Sequence, residues 1–195
     1  MSEVVVDHRQ ATAQRNAAAI LDAATRLLER GAALNMRAIA AEAGVSRPTL
    51  YAHYGTIGQV VEGVVARAVS ASVAAIEAAE PAVGPADEAL ERVVAASWAQ
   101  IAHFDAIAQG ATEHVSTVAM HRTHAPIRAH VAELVARGQA SGAFRSDLPA
   151  DWLVTMSFAL IHAAADHARA RRVKRDEALA LLLTSLRDLF AGGAR

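Results

Sequence analysis

Gly31, Gly44 and Gly55 cut the first third of the chain into pieces that suit helices and little else. Ahead of Gly31, residues Ile20, Ala24, Leu27 and Leu28 fall at i, i+4, i+7 and i+8, which is one face of a helix. The charged Arg15, Asp22, Arg26, Glu29 and Arg30 lie mostly off that face. The pattern predicts a helix from Thr12 to Gly31, preceded by a mobile arm over residues 1–11. Asn35 is an N-cap for a short helix over 36–43 that Gly44 ends. Ser46 caps a third helix, with Pro48 in its first turn where a missing N–H costs nothing, and Gly55 closes it after Tyr54. A longer helix is predicted from about Thr56 to Ala79.

Composition supports helices throughout. Hydrophobic residues make up 53% of 195, much of it alanine, the best helix former, while aromatics are only 4%. Alternating β-branched residues are nearly absent outside Val4–Val6. After the break at Pro81-Ala-Val-Gly-Pro85, helices are predicted over about 87–103, 126–141, 150–172 and 176–190, with 104–123 helical but ambiguous around Gly110. The absence of cysteine excludes disulfides, thiolate catalysis and cysteine-ligated zinc, and suits the cytoplasm. The N-terminus, with Glu3 and Asp7 and no long apolar run, does not read as a signal peptide. No apolar stretch is expected to span a membrane; the longest candidate, 152–165, is broken by His162. Net charge is −1, so overall charge points to no particular partner.

Two short helices joined by Gly44-Val45-Ser46 match a helix-turn-helix, in which glycine supplies the left-handed turn residue and Val45 plugs the angle. Two packed helices with a tight turn fit that backbone equally well. The side chains favour a nucleic-acid reading. Arg47, Thr49, Tyr51 and His53 all carry polar reach, while Leu50 is left to face inward. Arginine can pair with guanine through two hydrogen bonds, and hydroxyls and imidazoles can hold phosphates.

The run Asn35-Met-Arg-Ala-Ile-Ala-Ala-Glu-Ala-Gly-Val-Ser-Arg-Pro-Thr-Leu-Tyr-Ala-His-Tyr54 resembles the DNA-binding domain of tetracycline-repressor (TetR) family regulators, as does Ile20-Leu-Asp-Ala-Ala-Thr-Arg-Leu-Leu-Glu-Arg-Gly31 before it. The similarity covers about residues 12–65. It implies an all-α protein with a helix-turn-helix DNA-binding domain over 1–55, a connecting helix over 56–79, and a larger effector-binding and dimerisation domain over 80–195. It further implies a homodimer on a palindromic double-stranded operator, released by a small molecule, and acting as a repressor. By position, Arg47, Pro48 and Thr49 would read bases or line the groove, with the capping Ser46 counted in the same DNA-binding set. Tyr51, His53 and Arg37 would meet the backbone, and Tyr54 would pack. Family members commonly place lysine or arginine after that aromatic; here Gly55-Thr-Ile-Gly-Gln-Val60 has no charge. Binding should then lean on hydroxyl and backbone N–H contacts. The alternative is a helical small-molecule-binding or scaffold protein that has lost its DNA affinity.

In the larger domain the sparse bulky groups Trp98, His103, Phe104, Met120, His124, Trp152, Met156, Phe158 and His162 are the candidates to line a pocket for an apolar or aromatic effector. Filling core volume beside small alanines is their plainer role. No cofactor and no metal site is predicted, although His162 and Asp166 at i, i+4 keep a histidine–aspartate site open as a minor reading. No nucleophile-elbow, phosphate-loop or zincin motif appears, so the chain does not read as an enzyme. The last two helices, one with Ala159, Ala163 and Ala170 and one with a leucine stripe, suit a dimer interface.

Overall fold

A computed structural model describes residues 2–111 and 124–191, which form eight helices with no strand among them. These are α1 (Ser2–Glu29), α2 (Met36–Ala43), α3 (Arg47–His53), α4 (Ile57–Ala78), α5 (Ala86–Ala111), α6 (Ala125–Ser141), α7 (Ala150–Arg169) and α8 (Arg175–Phe190). Helix α1 starts at Ser2, ten residues before the Thr12 start predicted from sequence, and takes up the predicted arm. Residues 2–11 contain neither glycine nor proline, so nothing in them interrupts a helical ladder growing back from Thr12. Helix α7 stops three residues sooner than expected. The amides of Ala170, Arg171 and Arg172 fold back onto Asp166, Ala168 and His167 carbonyls, and Arg171 takes a left-handed φ of 54°.

The chain divides into two compact units, one up to Arg67 with α5 from Ala106 onward, the other of Ala68–Asp105 and the described residues after 123. In the first unit, Ile20, Ala23, Ala24, Leu27 and Leu28 of α1 bury together with Ile39, Leu50, Val60, Val61, Val64 and Val65 in that unit's interior. Gly63 brings α4 close to α1, because a Cβ there would stand 3.0 Å from Leu21 and 3.4 Å from the Tyr54 ring. Tyr54 is thereby a packing residue, as its position suggested.

Helix α4 corrects one expectation. At 22 residues and a mean hydropathy of 1.4 it is long and apolar enough to cross a membrane by length and composition alone. Its apolar character has a local use: Val60, Val61, Val64 and Val65 are buried in the first unit, and Ile76 joins the core of the second.

That second core gathers Leu90, Val93 and Val94 of α5, Val131, Leu134 and Val135 of α6, Leu153 and Val154 of α7, and Leu182, Leu186 and Phe190 of α8. Two connections are held by side chains reaching main-chain carbonyls. Arg137 donates to Pro81 and Gly84 at 2.7 Å each, and Arg92 donates to Ala79, Glu80 and Val83. Gln139 Nε2 likewise donates to the carbonyls of Arg145 and Leu148, both at 2.9 Å, in the α6–α7 connection. Phe144 folds over Gly138 and stacks on Phe190 with ring centroids 4.5 Å apart. A Cβ at Gly138 would overlap the Phe144 ring. Replacing Gly138 with Ala should therefore destabilise the chain by roughly 1–3 kcal/mol, the usual range for overpacking, despite alanine's better helix propensity. Urea unfolding of the variant beside wild type measures it, and an unchanged or raised midpoint would refute the packing argument.

Candidate nucleic-acid interface and apolar cavity

The turn between α2 and α3 is built by local hydrogen bonds. Asn35 Oδ1 accepts from the Ala38 amide at 2.9 Å and starts α2. Gly44 takes the left-handed conformation at φ 66°, and the Val45 amide returns to the Ala40 carbonyl. Ser46 Oγ accepts from the Thr49 amide at 3.2 Å and lies 2.7 Å from the Thr49 hydroxyl. Removing that cap, as in Ser46→Ala, costs about 1 kcal/mol by general experience.

Leu50 is fully buried, the one buried residue on α3. Arg47, Pro48 and Tyr51 are exposed, Tyr51 to 47%. Spacing of i, i+4 stacks Arg47 and Tyr51 on the same outward face. Arg37 stands exposed in the first turn of α2, while Thr49 and His53 are half-buried. The structure thus places Arg47, Pro48, Thr49, Tyr51 and His53 on α3, with Ser46 as its cap and Arg37 on α2. It also shows that two of them, Ser46 and Thr49, already spend hydrogen-bonding capacity on each other.

Charge is distributed unevenly over this unit. Residues 1–60 hold six arginines and five acids. Arg26 Nε and Arg30 Nη2 both reach Glu42, at 2.8 and 3.0 Å, and tie α1 to α2. These two side-chain hydrogen bonds hold the Glu42 carboxyl below its ordinary value. Arg67 pairs with Asp22 at 2.7 Å. Among the described residues, Arg9, Arg15, Arg37 and Arg47 have no ion-pair partner.

The uncharged stretch after Tyr54 has a structural use. Thr56 Oγ1 accepts from the Gln59 amide at 3.2 Å, and Gln59 Oε1 accepts from the Gly55 amide at 2.7 Å. This is a variant of the capping box at the start of α4, with Gln59 reaching the amide one residue before the Thr56 cap. Its Thr-x-x-Gln spacing was readable in the sequence, and reading only for missing charge overlooked it.

The second unit encloses a cavity of about 60 Å³. Its wall is mostly aliphatic, from Ile76, Val93, Val94, Ile127, Val131 and Ile161. Ser72, Ser97 and Ser157 also line it, but each hydroxyl donates to the carbonyl four residues back on its own helix. His124 and His162 stand in the wall, as does Phe158, whose ring lies 5.2 Å below the Arg128 guanidinium. Of the bulky residues singled out in the sequence, the cavity brings together His124, Phe158 and His162. Trp98 is instead packed in the core with no acceptor for its Nε1 among the described residues, Trp152 is exposed to 51%, and Met156 is half-buried away from the wall. Met120 and the side chains of His103 and Phe104 lie outside what the structure describes. Among the described residues no three histidine, aspartate or glutamate side chains are placed to share a metal ion.

Residues 20–64, which include the whole of α2, the turn and α3, match the bacterial regulatory proteins of the tetR family. This segment is a tetR-family domain. The fold as a whole is also that of solved regulators. A fatty acid degradation regulator, FadR, from Bacillus halodurans shares 20% identity over 92% of this chain and 96% of its own, with a TM-score of 0.78. FadR from Bacillus subtilis, solved with stearoyl-CoA, shares 17% over 91% and 98% with a TM-score of 0.75. The TetR-like regulator LfrR from Mycobacterium smegmatis, solved with proflavine, shares 26% over 92% and 98% with a TM-score of 0.70. No curated protein matches the chain.

In the tetR-family domain, Glu42 gives a pH dependence with a defined sign. Its pKa is lowered in the folded state, so its contribution is complete above the ordinary glutamate value of 4.5 and is lost as pH falls through the folded value. The Glu42→Gln variant should melt lower than wild type near neutral pH and converge with it in acid. Thermal midpoints from about pH 7 down to about pH 3 test this; a constant gap across that range would remove the ion pairs from the account.

Proposed function

We propose that this chain is a transcriptional repressor that binds a palindromic operator as a homodimer and lets go when a small apolar molecule enters the second unit. In this reading residues 1–55 bind DNA, 56–79 connect, and 80–195 bind effector and partner. The observation that carries it is α3, a short helix seated by one buried leucine and showing Arg47, its first residue, and Tyr51, one turn on, outward. Such a helix fits a major groove. Solved relatives of the same fold hold stearoyl-CoA or proflavine, which supports an effector role for the larger unit. The proposed dimer surface is the α7–α8 face, where Leu160, Ala163 and Ala164 border an exposed Leu181. The reading requires no enzymatic step and no cofactor, and it places the protein in the cytoplasm.

A second reading rests on charge. With Arg26 and Arg30 occupied by Glu42 and the 55–60 stretch capped on itself, few cations remain for phosphate. A ligand-binding or scaffold protein with lost DNA affinity would look the same.

Mobility-shift titrations with the DNA upstream of its own gene, at low and physiological salt, separate the two. Arg47→Ala should lose about 1–3 kcal/mol if it pairs with a base, roughly five- to 150-fold in affinity. Arg37→Ala should weaken binding across sequences and reduce the salt slope by about one. Tyr51→Phe should also weaken binding while leaving the far-ultraviolet spectrum unchanged. Equal affinity for this DNA and a scrambled duplex would favour the second reading.

A further inference from the structure

The cavity described above is small for an effector site. About 60 Å³ is the space of two water molecules, whereas pockets for small organic ligands run to about 300–1,000 Å³. Its walls Leu90 and Leu186 also line a second cavity of about 320 Å³. The two leucines are therefore a partition between the spaces. Leucine side chains change rotamer without moving the backbone, and doing so would open one space into the other.

The second cavity has a polarity of its own. Leu183, Phe144 and Phe190 form its apolar side, the two rings tilted at 40°. Asp87, Glu91 and Arg187 stand at the polar side. Arg187 Nε donates to Glu91 Oε1 at 2.6 Å, and this hydrogen bond holds the Glu91 carboxyl below its ordinary value. One guanidinium thus faces two carboxylates. Asp87, one turn before Glu91 on α5 and exposed, has no ion-pair partner among the described residues. The rim carries one uncompensated negative charge, which attracts a cation.

We infer that the effector is a lipophilic cation that spans both cavities, its charged head at Asp87 and Glu91 and its apolar body passing between Leu90 and Leu186. This rests on the effector-binding role proposed above and gives it a chemical class. A carboxylate head would have to draw Arg187 away from Glu91 and would still meet Asp87.

Calorimetric titration of the full-length protein with n-alkyltrimethylammonium ions of four, seven and ten carbons, below their micelle concentrations, tests both halves. Affinity should rise about fourfold per methylene up to the ten-carbon probe, because each added CH₂ leaves water. A plateau before ten carbons would overturn passage through the partition. Decyltrimethylammonium should bind at least tenfold tighter than decanoate. In Asp87→Asn/Glu91→Gln, two surface replacements, that preference should collapse while neutral decanol binds as before. Equal or tighter binding of decanoate, or a preference unchanged in the variant, would overturn the charged rim. Mobility shifts on the same samples keep the two readings apart. DNA binding without cation binding overturns only this inference, and cation binding that leaves DNA bound overturns only release by effector.

Discussion

Leu50 is the only side chain of α3 that goes fully into the interior. Burying a leucine is worth roughly 1.5–3 kcal/mol, and a seven-residue helix has almost no stability alone. The left-handed turn at Gly44 and the Ser46 cap set where the helix begins, and the leucine sets how it is seated. Everything outward on α3, Arg47 and Tyr51 included, owes its direction to that anchor. The Arg26–Glu42–Arg30 cluster fixes α2 on α1 and so holds the platform on which α3 rests. Two of the six arginines in residues 1–60 are spent on this platform, so the same charges that give rigidity are withdrawn from any phosphate.

Local signals were the legible part of the sequence. Asn35, Gly44, Ser46 and Pro48 mark α2 and α3 to the residue, because caps and left-handed turns are chemistry between near neighbours. The Thr56–Gln59 box belongs to the same class of signal. The start of α1 was less legible, since no cap or breaker in 2–11 stands for its absence as a boundary.

The cavity was the least legible feature, for a physical reason. Large aromatics are conspicuous in an alanine-rich chain, yet Trp98 fills the core and Trp152 faces outward. The wall is made from ordinary aliphatic residues whose meeting depends on how several helices pack. Ser72, Ser97 and Ser157, each on an otherwise apolar stretch of a different helix, were the trace it left in the sequence. Being small and satisfied by their own helices, they allow space without demanding a polar partner.

The arginine clamp on residues 79–84 has a consequence for which mutations this chain can absorb. Both Arg92 and Arg137 take hold of main-chain oxygens. A main-chain oxygen is present whatever residue bears it. The path of the connection is thus encoded on the two helices facing it, outside the connection itself. Exposed positions within it, such as Ala82 and Val83, are open to substitution, insertion of a label or a change of charge at little cost to the fold. The two arginines are not.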